Sequence, residues 1–491
     1  MSLKIYNTLS RKKEDFTPVT RGQVGIYSCG VTVYDLSHAG HARSALAFDV
    51  MVRYLRFKGL QVRFVRNFTD VDDKIIRRAA KEGVSASEIS ERYVEAFRAD
   101  MRGLGVIQAD VEPKATEHVP QMVELIGKLI AKGVAYPVDG DVYFEVRRFA
   151  GYGKLSGKNL DELLVGARVD VDERKRDPRD FALWKAAKPG EPAWDSPWGP
   201  GRPGWHVECS AMAWETLGET IDIHGGGLDL VFPHHENEIA QSECAHGATY
   251  ARYWMHNGLL TVADGRKMGK SLGNSLWIRD LLHEYPAEAL RLYYLQCHYR
   301  SPLPFDEETL SEALGMLARL YEAREVAERM SGGEDADSTA KALGADALEV
   351  LALGRAFPDQ LASTLADDFN TAAALGHLFE LARAVNRLSN QPKAIKRGGP
   401  VVAPALAAFA TVPAALGLLA LSTAEFQADI NKKRLPALGL TAAEIDALVA
   451  ERTAARMAKN YARADAIRDD LEGKSIAVMD RGEKSEWRVR L

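Results

Sequence analysis

Val24-Gly25-Ile26-Tyr27-Ser28-Cys29, then Gly40 to Phe57, then Val62-Arg63-Phe64-Val65 is the stretch from which the fold class follows. The first run is short and apolar, as a buried strand is. In the second, Ala42, Ala45, Phe48, Val52 and Leu55 recur every three or four residues, the period of a helix with one apolar face. The third run is a second strand. Helical patterning resumes after Asp70, and Ser85 with Glu88 has the spacing of a capping box. Strand, helix, strand, helix implies an α/β fold with a parallel sheet and crossover helices.

Working outward, residues 1–112 form the first half of this sheet domain. From 113 to 203 the pattern turns irregular, with a strand-like run from Asp141 to Val146 and a turn-rich stretch from Pro189 to Gly204, as in an insertion. Strand and helix signals return over 204–305 and supply the second half. After Asp306 the chain is alanine-rich and helical, with Leu310, Leu314, Leu317 and Tyr321 on one face and Leu375, Phe379, Ala382 and Val385 on another. Residues 306–425 are therefore expected to be a helical bundle, with loops from Ser331 to Asp337 and from Gln391 to Pro404. In the small last region, 426–491, Thr441 and Glu444 cap a final helix before a tail that carries Trp487.

A chain of 491 residues is too long for one core. At 46% hydrophobic and 27% charged, its composition is that of a folded protein and excludes a disordered one. The net charge of -5 excludes a uniformly basic nucleic-acid coat but not local basic patches. Four cysteines are too few for a disulfide scaffold, which leaves metal binding or plain burial. No run of about 18 apolar residues stands out, and the opening MSLKIYNTLSRKKEDF lacks a signal-peptide core. The expectation is a cytoplasmic monomer without a membrane.

Chemistry concentrates in three places. His38-Ala39-Gly40-His41 lies where a strand gives way to a helix, and exposed N–H groups and the helix dipole favour an anion there. Taken alone, such a motif is more often a pair of surface histidines at a cap. Lys267-Met268-Gly269-Lys270-Ser271 puts two lysines in a glycine-containing loop, suited to a phosphate chain whose charge moves during reaction, or to a solvated basic turn. His234 and Glu238 are four apart and share a helix face. With Cys29 and Cys209 they make a donor set that suits tetrahedral zinc, although the spacing leaves open two buried thiols beside an unrelated polar face.

In order and distance, the first two segments resemble the HIGH and KMSKS signatures of class I aminoacyl-tRNA synthetases. Ala39 replaces the usual isoleucine and Gly269 a serine, and neither change removes a phosphate-contacting side chain. Tyr27 to Asp35, Gly201 to Ser210, and His224-Gly225-Gly226-Gly227 running on to Phe232-Pro233-His234-His235-Glu236-Asn237-Glu238 narrow the resemblance to the cysteinyl-tRNA synthetases. It spans Leu3 to about Arg319, with a weaker match beyond.

The resemblance implies a Rossmann-like catalytic domain broken by a connective insertion, then a tRNA-binding helical bundle and a C-terminal anticodon-binding region. It implies ATP, L-cysteine and tRNA(Cys) as substrates, with cysteinyl-adenylate as intermediate, and one Zn2+ per chain on Cys29, Cys209, His234 and Glu238. His38, His41, Lys267 and Lys270 would stabilise the reacting phosphates, with Mg2+ on the ATP and Asp229 on its ribose. Gly30, Thr69 and Trp205 are candidates for holding cysteine. In the tail, Trp487 could stack on an unpaired base with Arg488 and Arg490 on phosphate, or pack its ring as a terminal strand does. A cysteine:amino-sugar ligase of mycothiol biosynthesis would share the zinc and ATP site and is the alternative. It resembles a shortened synthetase, so the region beyond Asp306 weighs against it.

Overall fold

The apolar run at Val24 becomes strand β1 (Gln23–Thr32), the inner strand on which the site is built. Helix α1 (Ala39–Phe57) leads from it to β2 (Gln61–Thr69). After the insertion come helix α2 (Trp205–Leu217), β3 (Ile221–Gly227), helix α3 (Glu236–His246) and β4 (Ala251–Asn257). The sheet order is β4-β3-β1-β2, with every neighbouring pair parallel. The computed structural model describes residues 2–159, 173–262, 276–481 and 484–490.

A parallel sheet is covered on both faces, so its strands need apolar residues on each. Val24, Ile26 and Tyr27 of β1 and Phe64, Val65 and Phe68 of β2 are all buried. Helix α1 covers one face with Ala42, Ala45, Phe48, Val52 and Leu55, each of the larger side chains contributing about 1.5–3 kcal/mol by leaving water. From β1 the chain moves outward to β2 on one side, whereas β3 and β4 lie on the other. The winding therefore reverses between β1 and β3, and the carboxyl ends of these two strands open a crevice.

The insertion has its own antiparallel sheet: Ala135–Val138, Asp141–Phe144, Phe181–Ala186 and Gly201–Pro203. The strand expected to reach Val146 stops at Phe144, and Val146–Arg148 is a single 3-10 turn.

Beyond Asp306, the long helices Glu307–Arg329, Ala345–Ala366, Thr371–Ser389 and Gly399–Leu416 pack on one another. Of the two expected loops, 331–335 is non-helical as the sequence suggests, whereas Gln391 to Pro404 is largely helical. Asp335 caps the helix Ala336–Leu343, and Gln391 to Pro404 holds the helix Pro392–Arg397 and the start of Gly399–Leu416. Pro392 and Pro400 read as breakers, yet they occupy first turns, where no N–H is needed. Gly399–Leu416 also corrects the view that no apolar run is long enough to cross a membrane, since it meets that criterion. Its Val401, Val402, Ala405, Phe409 and Val412 are buried against the other helices.

Thr441 and Glu444 do form a capping box, opening Ala442–Met457. This helix is not the last, because Tyr461–Gly473 follows before an antiparallel pair, Ile476–Arg481 with Lys484–Val489.

Candidate active site

His38 and His41 build the start of α1 together. The His38 Nδ1 accepts the Gly40 N–H at 3.1 Å, and the His41 Nδ1 accepts the His38 N–H at 3.1 Å. Their rings stack with centroids 3.8 Å apart. A nitrogen that accepts from backbone N–H carries no proton, so the proton of each neutral ring is on Nε2. Each imidazole is thus both a cap and an oriented Nε2–H donor. Leu276 accepts the Ala39 N–H at 2.8 Å, and the Ile278 N–H donates to the Ser37 carbonyl at 3.0 Å, which ties the residues after 275 to this turn. Lys267 and Lys270 lie outside the described residues.

At the carboxyl ends of β1 and β3, four donors converge. Cys29 Sγ is 3.7 Å from Cys209 Sγ and 3.6 Å from Glu238 Oε1, and Glu238 Oε1 is 3.1 Å from His234 Nε2. All four residues are buried. A tetrahedral zinc with bonds of about 2.0–2.3 Å needs ligand atoms about 3.3–3.8 Å apart, close to these edges. Cys29, His224, His235 and Glu238 form an overlapping group. There, however, His224 Nε2 is bound to Glu238 Oε2 at 2.7 Å, and His235 Nδ1 to His256 Nε2 at 2.8 Å. In the first group, the edges of 3.1, 3.6 and 3.7 Å are those that approach tetrahedral zinc.

Supporting contacts aim these ligands. His206 Nδ1 meets His234 Nδ1 at 2.9 Å, which leaves Nε2 directed at the group. Tyr250 donates to Glu238 Oε2 at 3.0 Å, beside His224, so Oε1 is the oxygen presented. Burial pushes the Cys29 thiol up, whereas the hydrogen bond from Cys29 brings Cys209 down. Burial alone would lower His234, but Glu238 and Cys209 outweigh it and raise it. Burial would raise Glu238, yet His224 and His234 hold it below the usual carboxylate range. The group attracts positive charge, a proton or a cation.

Cys29, Gly30, His38, His41 and Asp229 line one cavity of about 590 Å3. The structure thus brings His38, His41 and Asp229 to the cavity that Cys29, one of the four metal candidates, also lines. Trp205, at the start of α2, stacks on His234 with centroids 4.1 Å apart and is 40% exposed. It also lines a second cavity of about 900 Å3 with His206, Phe181, Phe232, Lys158 and Lys185, between the insertion and the sheet domain. Thr69 is buried, and its hydroxyl donates to Glu208 at 2.9 Å. Gly30 gives its N–H to Asn67 Oδ1. His206, His224, Tyr250 and Asn67 escaped sequence reasoning. The first two lie inside quoted motifs, whereas Tyr250 and Asn67 carry no local signal.

In the tail, Trp487, Arg488 and Arg490 each have a partner within the chain. Trp487 packs against the apolar core and donates Nε1–H to Asp446 at 2.7 Å, so its ring serves the fold as a terminal strand's does. Arg488 pairs with Glu325, and Arg490 with Glu472 at 3.4 Å. The open aromatic of this region is Tyr461, 61% exposed beside Met457 at 73%, on the turn that carries Lys459. Among the described residues these are the two most exposed large apolar side chains.

Known proteins agree with this architecture. A family described as the class I (C) tRNA synthetase catalytic domain matches residues 15–315, the DALR domain matches 362–420, and the cysteinyl-tRNA ligase anticodon binding domain matches 439–488. A cysteine–tRNA ligase of Syntrophobacter fumaroxidans is 50% identical over 493 aligned positions, and one of Geobacter sulfurreducens 50% over 492, each covering 100% of both chains. Among solved structures, a Mycobacterium tuberculosis methionyl-tRNA synthetase in complex with methionyl-adenylate superimposes with a TM-score of 0.62 at 16% identity, over 80% of this chain and 92% of that one. At that identity the likeness speaks for the fold alone.

Proposed function

The chain belongs to the cysteinyl-tRNA synthetases and joins cysteine to tRNA with ATP, and from that premise we propose how its residues divide the work. The observation that carries the proposal is the single cavity onto which Cys29, His38, His41 and Asp229 all open. In it, the carboxylate of cysteine attacks the α-phosphate of ATP, pyrophosphate leaves, and the adenylate then yields cysteine to a ribose hydroxyl at the 3′ end of tRNA(Cys). No protein nucleophile is needed. The protein supplies alignment and charge stabilisation in the transition state. The Nε2–H groups of His38 and His41 donate to phosphate oxygens, Lys267 and Lys270 neutralise the departing pyrophosphate, and Asp229 accepts from the ribose. Mg2+ accompanies the ATP.

Cys29, Cys209, His234 and Glu238 hold zinc, which when bound provides a Lewis acid that keeps the substrate sulfur as thiolate and disfavours the harder hydroxyl of serine. The near-tetrahedral edges of the four donors support that choice. Trp205 covers the amino-acid side of the metal group, and Thr69 and the Gly30 backbone border it. The cavity beside Trp205, with Lys158 and Lys185 on its wall, gives the tRNA 3′ end its approach. Residues 306–425 carry the body of the tRNA and 426–491 meet the anticodon, where Tyr461 offers a ring for an unpaired base. The enzyme works in the cytoplasm.

Purified enzyme is expected to exchange labelled pyrophosphate into ATP only when cysteine is present, and to charge tRNA(Cys) but not an amino sugar. Exchange driven equally by serine, or transfer to the sugar, would overturn the assignment.

A further inference from the structure

Cys29 occupies a break in the strand that carries it. Partners along β1 and β2 run from Gln23 with Gln61 to Ser28 with Arg66, then resume at Val31 with Phe68. Cys29 and Gly30 therefore both stand opposite Asn67, the two-against-one arrangement of a β-bulge. Side-chain alternation is suspended there, so the direction of the Cys29 sulfur depends on how the bulge is held rather than on the ladder.

Asn67 holds it. The Gly30 N–H donates to Asn67 Oδ1 at 2.8 Å, and Asn67 is 2% exposed, so little water competes for that bond. A Cβ at position 30 would lie 1.6 Å from the Asn67 carbonyl oxygen, a distance only glycine avoids. Held this way, the bulge sets Cys29 Sγ within 3.7 Å of Cys209 Sγ and 3.6 Å of Glu238 Oε1.

We propose that Asn67 is a positioning residue for the metal centre: by locking the Gly30 bulge it fixes Cys29 in place before the metal arrives. The inference rests on the metal-binding reading of the four donors. Asn67 acts through the Gly30 N–H, so what matters at position 67 is a side-chain oxygen in reach of it. Asn67→Asp keeps that acceptor and Asn67→Ala deletes it.

Full-length wild type, Asn67→Ala and Asn67→Asp are stripped of metal, checked for fold by circular dichroism, and reloaded with Co2+ alone. Zinc-loaded samples are timed for release to a chromogenic chelator. Asn67→Ala is expected to lose zinc about 10- to 100-fold more readily, the usual effect of removing a support behind a ligand. It should also show a weakened, displaced thiolate-to-cobalt charge-transfer band. Asn67→Asp should stay within about threefold of wild type by the same scale. General destabilisation would lower the melting temperature without moving the band. Should Asn67→Ala fail to fold, Asn67→Ser, too short to reach Gly30, is measured the same way and is expected to lose zinc as Ala would. A wild-type band and release rate in a variant without the acceptor, or an Asp variant as impaired as Ala, overturns the proposal. Wild-type protein that binds Co2+ with no thiolate band at all overturns the metal reading itself, a distinct result.

Discussion

The crevice between β1 and β3 and the C-terminal region after Leu421 solve opposite problems. In the crevice, the charged and polar groups are buried and bound to one another: Glu238 is gripped by His224 and Tyr250, and His234 by His206. In the C-terminal region, ion pairs such as Arg463 with Glu451 stand in solvent, and the large apolar side chains Tyr461 and Met457 face outward. Phosphate chemistry and thiol selection need preorganised groups in a low-dielectric pocket. Contact with a long, hydrated nucleic acid needs groups that the partner can reach. A substitution in the crevice should therefore harm the chemical step, and one in the C-terminal region should harm only the use of tRNA.

The sharpest break of that contrast is His41→Ala. It removes an Nε2–H donor and half of the capping pair, and should lower cysteine-dependent pyrophosphate exchange by roughly 100-fold or more while the fold persists. Exchange within a few fold of wild type would mean that the histidine pair is a cap and nothing more. Next in size is metal loss. Cys209→Ser and Glu238→Ala should each bring the zinc content well below one per chain, with the KM for cysteine rising alongside, as plasma emission spectrometry and exchange assays would show. Full zinc in Cys209→Ser with loss in Glu238→Ala would point to the overlapping group with His224 and His235 instead, and full zinc in both variants would rule out either group.

These two sites differed in how much the sequence displayed. The β1–α1–β2 unit announced itself because its apolar period is local, and His38, His41, His234 and Glu238 sit in short runs whose spacing already places them on one helix end or one helix face. Asn67, Tyr250 and His206 stayed silent because their roles come from partners far along the chain: Tyr250 reaches Glu238, and Asn67 reaches Gly30 across the strand pairing. Gln391 to Pro404 misled for a different reason. Glycine and proline mark helix starts as well as loops, and only the packing of Val401 and Val402 distinguishes the two. Trp487 is balanced between stacking and packing in the sequence, and in the structure it packs against the core and donates to Asp446 while Tyr461 stands more exposed.

That difference between the two rings sharpens the contrast within the C-terminal region. Tyr461→Ala should leave pyrophosphate exchange unchanged and raise the KM for tRNA(Cys) about 10-fold, since stacking on one base is worth about 1–3 kcal/mol. Trp487→Phe keeps the packed ring, loses only the bond to Asp446, and should change that KM less than twofold. Point variants suit this test better than removal of 473–491, because Ile476 and Val489 belong to the core. The reverse ranking of the two variants would return base stacking to Trp487.

The smallest effect expected is an acid-dependent loosening of the final strand pair. Asp480 lies on the strand Ile476–Arg481 and accepts two hydrogen bonds from Arg452 of the helix Ala442–Met457, at 2.6 and 2.9 Å. Those bonds hold its carboxyl well below the usual carboxylate range. A carboxylate lowered in the folded state stabilises above its unfolded pKa, about 3.9, and that stabilisation fades as the pH falls through the folded value. At pH 7 the pair should therefore slow local opening of 476–489, and below about pH 4 progressively less so. Asp480 is about one-third exposed, so solvent weakens the pair and the effect is modest. Hydrogen exchange followed by mass spectrometry on peptides from 476–489, comparing wild type with Asp480→Asn at matched pH, cancels the intrinsic pH dependence of exchange. The variant should exchange a few fold faster at pH 7, and the ratio should fall toward one as the pH drops below about 4. A ratio that stays constant down to pH 3 would show that the ionised Asp480 does not hold the strand pair on its helix. Pyrophosphate exchange in Asp480→Asn should match wild type, since nothing in the crevice touches this pair.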